Sequence, residues 1–264
     1  MKKILPISIS VSSTIDSQLI LHKAQSLANK LKFPHRRTIT DIDTELSLVY
    51  RDNGLQLVQI LETGRLRRLL HVDFIKGKSG YRHNKNLTIR QPLAKAIGIK
   101  QGVRPSVLDA TAGLGQDAFV LACLGCQVSM CERSPVLHSL LEDGLDRAAR
   151  EEKTMEIVSN RMKLLYEDSK IYLHDAPRIF NTIYLDPMYP HRTSSALNKL
   201  EMRVIRDLVG DDEDSEMLLK LALSAAKNRV VVKRPKWAKE LSDLNPSFVV
   251  PMKNSRYDIY LTTA

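Results

Sequence analysis

Residues 106–133 constrain the fold of this chain more than any other stretch. An apolar strand ends at Asp109 and is followed by a glycine-containing turn over residues 111–115. A pattern of helical spacing then runs from Gln116 to Leu124, and a second apolar strand ends at Glu132. The order strand, tight turn, helix, strand predicts a βαβ unit of a doubly wound α/β sheet.

The turn in this unit is typical of a nucleotide-cofactor site. Gly113 and Gly115 allow positive φ, so that backbone N–H groups and a helix N-terminus approach a ligand. Glu132, at the end of the second strand, is placed to accept both hydrogen bonds of a ribose diol. Asp109 would repel a pyrophosphate but suits a cationic cofactor such as S-adenosylmethionine. A structural βαβ corner without a ligand is the alternative.

A second motif follows a predicted strand over Thr182–Leu185, where the chain continues with Asp186, Pro187, Met188 and Tyr189. It resembles the Asp/Asn-Pro-Pro-Tyr motif of methyltransferases that act on exocyclic amino nitrogens. Such a nitrogen is a poor nucleophile, because its lone pair is delocalised into the base. The Asp186 side chain and the Pro187 carbonyl would hold its two hydrogens, and Tyr189 would stack on the extruded base. A proline-rich turn is the alternative.

Another acidic residue follows a third predicted strand, Met162–Tyr166. Asp168 would lie on the same rim of the sheet as Glu132, where it could accept a hydrogen bond from an adenine amino group, with Ser169 beside it. Capping of the next helix is the competing interpretation, and both can hold.

The formal net charge of +10 indicates a polyanionic partner such as nucleic acid. Two basic segments would contact RNA, one after a predicted strand over residues 71–75 and one after a predicted strand over Arg229–Val232. A solvated surface loop is the alternative for the first segment. The candidate RNA-binding residues are Lys76, Lys78, Arg82, His83, Lys85, His191, Lys233, Arg234 and Lys236.

The three cysteines all lie within residues 123–131, which favours a reducing cytoplasm over a disulfide scaffold. Cys123 and Cys126 have the spacing of a redox or zinc pair, but core packing is the preferred interpretation, and we expect no metal. We interpret Asp211–Asp214 as a solvated loop before the next helix. No stretch reaches the length of a membrane span, so we expect a cytoplasmic protein.

The N-terminal part is predicted to be irregular α+β structure. An opening strand precedes a helix through Leu31, and the turn Asp52-Asn53-Gly54 predicts a hairpin between residues 45–51 and 55–61. We divide the chain into an N-terminal extension over 1–90, predicted to contact RNA, and a catalytic domain over 91–264. Because no low-complexity linker separates them, we expect the two parts to pack tightly.

With these residues in view, the chain resembles the bacterial small-subunit ribosomal RNA methyltransferase J family, which are guanine-N2 methyltransferases. The resemblance covers most of residues 65–260. The segments on which it rests are His71–Phe74, Leu93–Lys100, Val107–Gly115, Asp117–Leu121, Glu132–Arg133, Tyr184–Met188, Pro190–His191, Glu201–Arg203 and Val230–Pro235.

The resemblance implies a Rossmann-like, seven-stranded class I fold that uses S-adenosylmethionine. It places cofactor contacts on Gln116 and Asp117, Glu132 and Arg133, Asp168 and Ser169, and Asp186. Gln116 stands where the family often has arginine, and Asp168 where it often has serine. The implied partner is 16S ribosomal RNA or the small ribosomal subunit, and we expect a monomer. A DNA amino-methyltransferase and a non-catalytic RNA-binding protein are the alternatives.

Overall fold

The computed structural model describes residues 9–36, 46–76, 87–174, 178–187, 204–205, 208 and 214–262. The strands in these residues form two sheets, one of four strands and one of seven. No helix within the described part of the chain is long and apolar enough to cross a membrane.

The four-stranded sheet is built from the N-terminal part. It comprises β1 (Ile9–Ser13), β2 (Leu46–Arg51), β3 (Gly54–Ile60) and β4 (Leu66–His71), in spatial order 1-2-3-4, with helix α1 (Gln18–Leu31) after β1. β1 and β2 are parallel, while the other pairs are antiparallel. The predicted hairpin is confirmed: β2 and β3 pair closely, and Asp52 and Asn53 form its two-residue loop.

The strand predicted over residues 71–75 was wrong, because β4 ends at His71. Asp73 turns the chain there, since its Oδ1 accepts the backbone N–H groups of Ile75 and Lys76, each at 2.9 Å. An aspartate bonded to its own following backbone favours a turn over a strand. The apolar residues of this stretch instead enter the core from a bend.

The second sheet contains seven strands with the spatial order β10-β11-β9-β8-β5-β6-β7. Only β11 runs antiparallel to its neighbours. This confirms the predicted seven-stranded α/β fold. The elements in chain order are α2 (Pro92–Ile97), β5 (Val107–Asp109), α3 (Gln116–Cys123), β6 (Val128–Glu132), α4 (Pro135–Ala148), α5 (Glu152–Arg161), β7 (Met162–Tyr166), α6 (Ser169–His174), β8 (Thr182–Leu185), α7 (Ser215–Ala225), β9 (Arg229–Pro235), β10 (Phe248–Pro251) and β11 (Ser255–Leu261).

The strands β7 and β8 have the predicted bounds. The sequence also predicts strands over Phe248–Val250 and Tyr257–Leu261 that form a hairpin at the sheet edge, and β10 and β11 confirm it. β9 is longer than predicted, because β11 pairs with it as far as Pro235. Lys233 and Arg234 therefore belong to a strand, where we had expected a loop. The apolar spacing of Leu197, Leu200, Val204 and Leu208 predicts a further helix over residues 194–208, and this segment falls almost entirely outside the described residues.

The cysteines pack in the core, as predicted. Cys126 and Cys131 are buried, all three are free thiols, and burial raises the pKa of Cys126 to about 11 and of Cys123 and Cys131 to about 12. These thiols stay protonated at neutral pH. They are therefore poor nucleophiles and metal ligands.

Helix α4 joins the two sheets. Asp143 Oδ2 accepts the backbone N–H of Leu55 at 2.9 Å and the Nε–H of Arg147 at 2.8 Å, and Arg147 also donates to the carbonyl of Val72. The Phe74 ring stacks on Phe119 of α3 with centroids 4.7 Å apart. One hydrophobic core thus continues from the N-terminal sheet into the second sheet, which confirms the expected tight packing. The division into domains at residue 90 stays a prediction.

Candidate active site

The predicted glycine turn connects β5 to α3 with positive φ at Gly113 (55°) and Gly115 (68°). These two positions differ in their surroundings. A Cβ on Gly115 would lie 2.7 Å from Leu141 Cδ1, so this glycine faces the core. At Gly113 the nearest atom of the described residues would be the Thr111 carbonyl oxygen at 3.9 Å, so none of them crowds this side of the turn. The turn therefore has one packed side and one accessible side.

Glu132 ends β6 beside this turn, with only 5% of its surface exposed. Its Oε2 accepts the N–H of Gly113 at 2.9 Å, and its Oε1 accepts the N–H of Ser134 at 2.7 Å. Two backbone donors thus fix the carboxylate at the rim of the sheet. The predicted strand-end acid is in the predicted place, joined directly to the glycine turn.

Three charged side chains meet at the adjacent strand ends. Lys233 Nζ lies 2.9 Å from Asp117 Oδ2 and 2.9 Å from Asp186 Oδ2. Burial lowers the pKa of Lys233, but the nearby Asp186 and Asp117 raise it more, and the net result is a pKa above the ordinary lysine value. The ammonium is therefore charged, and it pairs with two carboxylates from a strand, whereas we had expected a phosphate contact on a loop.

Tyr184 and Thr111 hold two members of this cluster, Asp117 and Asp186, by hydrogen bonds. The Tyr184 hydroxyl donates to Asp117 Oδ2 at 2.7 Å, and the Asp186 backbone N–H donates to Thr111 Oγ1 at 2.6 Å. Tyr184 is buried, and its burial together with the neighbouring Asp117 and Asp186 raises its pKa well above the ordinary value. The hydroxyl therefore keeps its proton and remains a donor.

Asp109 lies deeper than the sequence suggested, with 2% of its surface exposed. Its Oδ1 accepts the N–H of Thr111 at 3.1 Å. Burial raises the pKa of Asp109 to about 8, with Asp117 and Asp186 adding to the rise, and the Thr111 hydrogen bond and Lys233 opposing it. At neutral pH this carboxyl is therefore mostly protonated, whereas the sequence reasoning had treated it as a fixed negative charge.

Asp168 and Arg133 belong to a second ionic cluster, which contains one residue that sequence reasoning missed. Asp214 Oδ2 lies 3.2 Å from Arg133 Nη1 and also pairs with Lys170 Nζ. Asp168 Oδ2 lies 3.6 Å from Arg133 Nη1 and 3.8 Å from Lys170 Nζ, while its Oδ1 accepts the Lys170 N–H at 2.9 Å. Asp168 thus caps the start of α6, which was the competing interpretation.

Asp214 corrects the interpretation of residues 211–214 as a solvated loop. The side chain of Asp214 is only partly exposed and pairs with two cations, Arg133 directly after β6 and Lys170 of α6. Burial raises its pKa, but Lys170 and Arg133 lower it more, so it lies below the ordinary aspartate value. The other three acids of that run fall outside the described residues. No spacing signal could have found Asp214, because its partners are far away in the sequence.

Three further predicted site residues lie in the described part of the chain: the cofactor contacts Ser169 and Gln116, and Pro187, which was predicted to bind the amine. Ser169 is buried and donates to the carbonyl of Ala110 at the end of β5, so it ties α6 to the glycine turn. Gln116 is exposed at the start of α3. Pro187 follows Asp186 at the rim.

The predicted RNA-binding residues divide into three groups. Lys76 and Lys236 are exposed. Arg234 is buried at 4% exposure and donates to the carbonyl of Lys239, so the prediction that it contacts phosphate was wrong. Neighbouring residues of a strand point to opposite faces, which sends Lys233 to the rim and Arg234 inward. Lys78, Arg82, His83, Lys85, His191 and the predicted base-stacking Tyr189 lie outside the described residues.

These residues fit S-adenosylmethionine. The described residues leave room for a ligand against the backbone at Gly113, and the fixed Glu132 carboxylate offers acceptors for a ribose diol. In the contacts described at this rim, the carboxylates of Glu132, Asp117 and Asp186 outnumber the ammonium of Lys233. The excess of negative charge suits a ligand that carries a sulfonium and an ammonium.

A sheet of this strand order, with one antiparallel strand and an acid-flanked glycine turn after β5, the first of its strands in the chain, defines the class I S-adenosylmethionine-dependent methyltransferases. A family model described as "Putative SAM-dependent methyltransferase" matches residues 17–262. A crystal structure of a SAM-dependent methyltransferase from Neisseria gonorrhoeae has a TM-score of 0.71 and 26% identity, covering 96% of this chain and 95% of the other.

Two relatives are closer in sequence. A ribosomal RNA small subunit methyltransferase J of Desulfotalea psychrophila is 49% identical over 260 residues, covering 97% of this chain and 98% of the relative. That of Thioalkalivibrio sulfidiphilus is 46% identical over 255 residues, covering 96% and 98%. The chain therefore belongs to the ribosomal RNA small subunit methyltransferase J family, which confirms the resemblance of the sequence.

Proposed function

We propose that this chain methylates the exocyclic N2 amine of a guanosine in 16S ribosomal RNA, with S-adenosylmethionine as the methyl donor. The support is the family membership together with one observation. Asp186, at the end of β8, is fixed beside the glycine turn by its backbone bond to Thr111 and by the ammonium of Lys233. A carboxylate in this place suits an amine brought to the open side of the turn.

Each group at the rim has a defined task in this proposal. S-adenosylmethionine, when bound, supplies an electrophilic methyl group on a sulfonium. Glu132 accepts from the ribose, and Arg133, Asp168 and Ser169 surround the adenine side. Asp186 and the Pro187 carbonyl accept the two amine hydrogens, which orients the nitrogen lone pair towards the methyl carbon. Transfer of this kind depends mainly on positioning.

Recognition of the RNA involves both parts of the chain in this proposal. The net charge of +10 and the exposed Lys76 and Lys236 support phosphate contacts that extend from the catalytic rim to the N-terminal extension. We infer that the enzyme acts as a monomer in the cytoplasm, on 16S ribosomal RNA alone or within the small ribosomal subunit.

The test is Asp186→Ala, a change that removes the side-chain acceptor, whereas Asp186→Asn would keep one. We expect single-turnover methyl transfer to 16S ribosomal RNA to fall roughly 100-fold, the loss that a misplaced reactant causes. Binding of S-adenosylmethionine, measured by calorimetry, should weaken much less. Mass mapping of the 16S ribosomal RNA methylated by the wild-type chain should place the methyl group on guanine N2.

Duplex DNA serves as the control substrate and should stay unmethylated. Transfer by Asp186→Ala within a few-fold of the wild-type rate would move the reaction away from this carboxylate. Methylation of DNA in preference to ribosomal RNA would favour a DNA amino-methyltransferase instead.

A further inference from the structure

We propose that Lys233 is a positioning residue for methyl transfer, which holds Asp186 and Asp117 in the arrangement that receives the amine. This inference rests on the proposed function. The sequence had suggested a different role for Lys233, contact with an RNA phosphate. The geometry of the rim points away from that role and towards one at the reaction centre.

Lys233 connects three separate elements at one point. It lies on β9, while Asp186 follows β8 and Asp117 is in the first turn of α3. The ammonium nitrogen is 2.9 Å from one carboxylate oxygen of each aspartate. In the contacts described, the ammonium of Lys233 therefore links the proposed amine-binding carboxylate to the helix that begins at the glycine turn.

The register of the sheet brings Lys233 to this point. Leu185, the last residue of β8, pairs with Val232, so Asp186 and Lys233 are the next residues on two adjacent parallel strands. On the other side, β11 pairs Tyr257 with Lys233 and continues to Pro235. Because a strand supports it on that side, the lysine cannot move away as a loop residue would.

The charges explain why the cation is needed. Asp117 and Asp186 both direct an oxygen at the same nitrogen, and like charges this close repel each other unless a cation lies between them. The Tyr184 hydroxyl adds one donor to Asp117 but no positive charge. Loss of the ammonium would therefore push the two carboxylates apart and displace Asp186 from its place at the rim.

A phosphate contact would require Lys233 to leave both partners. An exposed lysine binds a phosphate at little cost, whereas Lys233 would have to break two charge-assisted hydrogen bonds in a partly desolvated place. The two roles also predict different kinetics. A phosphate contact acts on RNA affinity, while a positioning residue acts on the rate after the RNA has bound.

The experiment compares Lys233→Met with Lys227→Met, a change of an exposed lysine beyond the other end of β9. We expect Lys233→Met to lower kcat roughly 100-fold, as a displacement of about 1 Å can do. KM for 16S ribosomal RNA should change less than threefold. Lys227→Met should retain the wild-type kcat and KM.

Chemical rescue separates positioning from simple structural support. In Lys233→Ala, added methylamine or ethylamine should restore part of kcat in a saturable manner, because a small ammonium can occupy the gap between the two carboxylates. An uncharged alcohol of the same size should not. Near-ultraviolet circular dichroism and the melting temperature establish how much of each variant is folded.

Two results would overturn the positioning role. The first is a normal kcat in folded Lys233→Met, whether or not KM is raised. The second is a loss of kcat in Lys233→Ala that no amine restores. Each of them leaves the proposed function standing, as long as the wild-type chain methylates 16S ribosomal RNA. If the wild-type chain does not methylate that RNA at all, the proposed function itself fails.

Discussion

The buried carboxyl of Asp109 gives this protein a pH dependence that a surface aspartate would not. Its pKa of about 8 in the folded chain lies far above that of an aspartate in an unfolded chain. Between roughly pH 4 and pH 8 the folded chain keeps a proton that the unfolded chain has lost. The contribution of this group to stability is therefore complete at low pH and is lost as the pH rises through about 8.

Asp109→Asn tests this linkage, because asparagine keeps an acceptor for the Thr111 N–H and cannot ionise. We expect the wild-type free energy of unfolding to fall relative to that of the variant by up to about 1.4 kcal/mol per pH unit within this window. Urea denaturation of both proteins at pH 5 and pH 8 measures the difference. An equal difference at the two pH values would show that Asp109 is ionised in the folded chain.

At the scale of residues, the sequence predicted those positions that follow directly from a strand end. Glu132 and Asp186 were found in this way, because parallel strands bring their carboxyl ends to one rim. The role of Lys233 could not be predicted, since it depends on how far β11 extends β9. Asp214 was missed for a similar reason: its partners, Arg133 and Lys170, come from other elements.

At the scale of elements, the start of α7 contacts the proposed adenine side of the site through Asp214. Asp214 precedes this helix and makes no side-chain hydrogen bond that caps it. Its carboxylate forms ion pairs with Arg133 and Lys170 instead. These two cations also face Asp168. The helix thereby holds β6 and α6 together at the rim.

We therefore expect Asp214→Asn to weaken S-adenosylmethionine binding three- to tenfold, about 0.7–1.4 kcal/mol, through looser placement of Arg133. Calorimetry measures the change. Glu216→Gln is the matched control, because it removes one negative charge from the first turn of the same helix, where Glu216 pairs only with the exposed Lys220 in the contacts described. Equal effects of both changes would indicate a general charge effect and no specific contact.

The elements that could be predicted are those whose limits are set locally. The residues Asp52 and Asn53 themselves indicate the hairpin turn. Ser134 likewise indicates the start of α4, where its Oγ accepts the Leu137 N–H at 3.4 Å. The length of β9 and the bend at Asp73 do not, because the first depends on a partner strand and the second on a short-range side-chain bond. Apolar residues alone made residues 71–75 look like a strand.

At the scale of the whole molecule, the close approach of α4 to the N-terminal sheet depends on Gly144. A Cβ there would lie 2.4 Å from Val72 Cγ1 and 2.9 Å from Val72 Cβ. Alanine in the middle of a helix normally stabilises by roughly 0.5–1 kcal/mol relative to glycine. Overpacking of a core costs about 1–3 kcal/mol, so the clash should outweigh the gain in helix propensity.

Gly144→Ala should therefore lower the free energy of unfolding by about 1–2 kcal/mol, which urea denaturation measures. Asp146→Ala, at an exposed position of the same helix, is the control and should have little effect. A more stable Gly144→Ala protein would mean that the N-terminal sheet and α4 can separate without cost.

The position of β11 between β9 and β10 has a consequence for how the enzyme becomes active as it folds. β9 is flanked by β8, which precedes it in the chain, and by β11, which follows it. Strands that pair across long sequence separations assemble late, because the loops between them must first close. The β5–α3 turn and Glu132 come from a contiguous stretch and can form early, whereas Lys233 reaches its two aspartates only when β9 has both neighbours. During refolding, the ability to bind the cofactor should accordingly appear before the ability to transfer its methyl group.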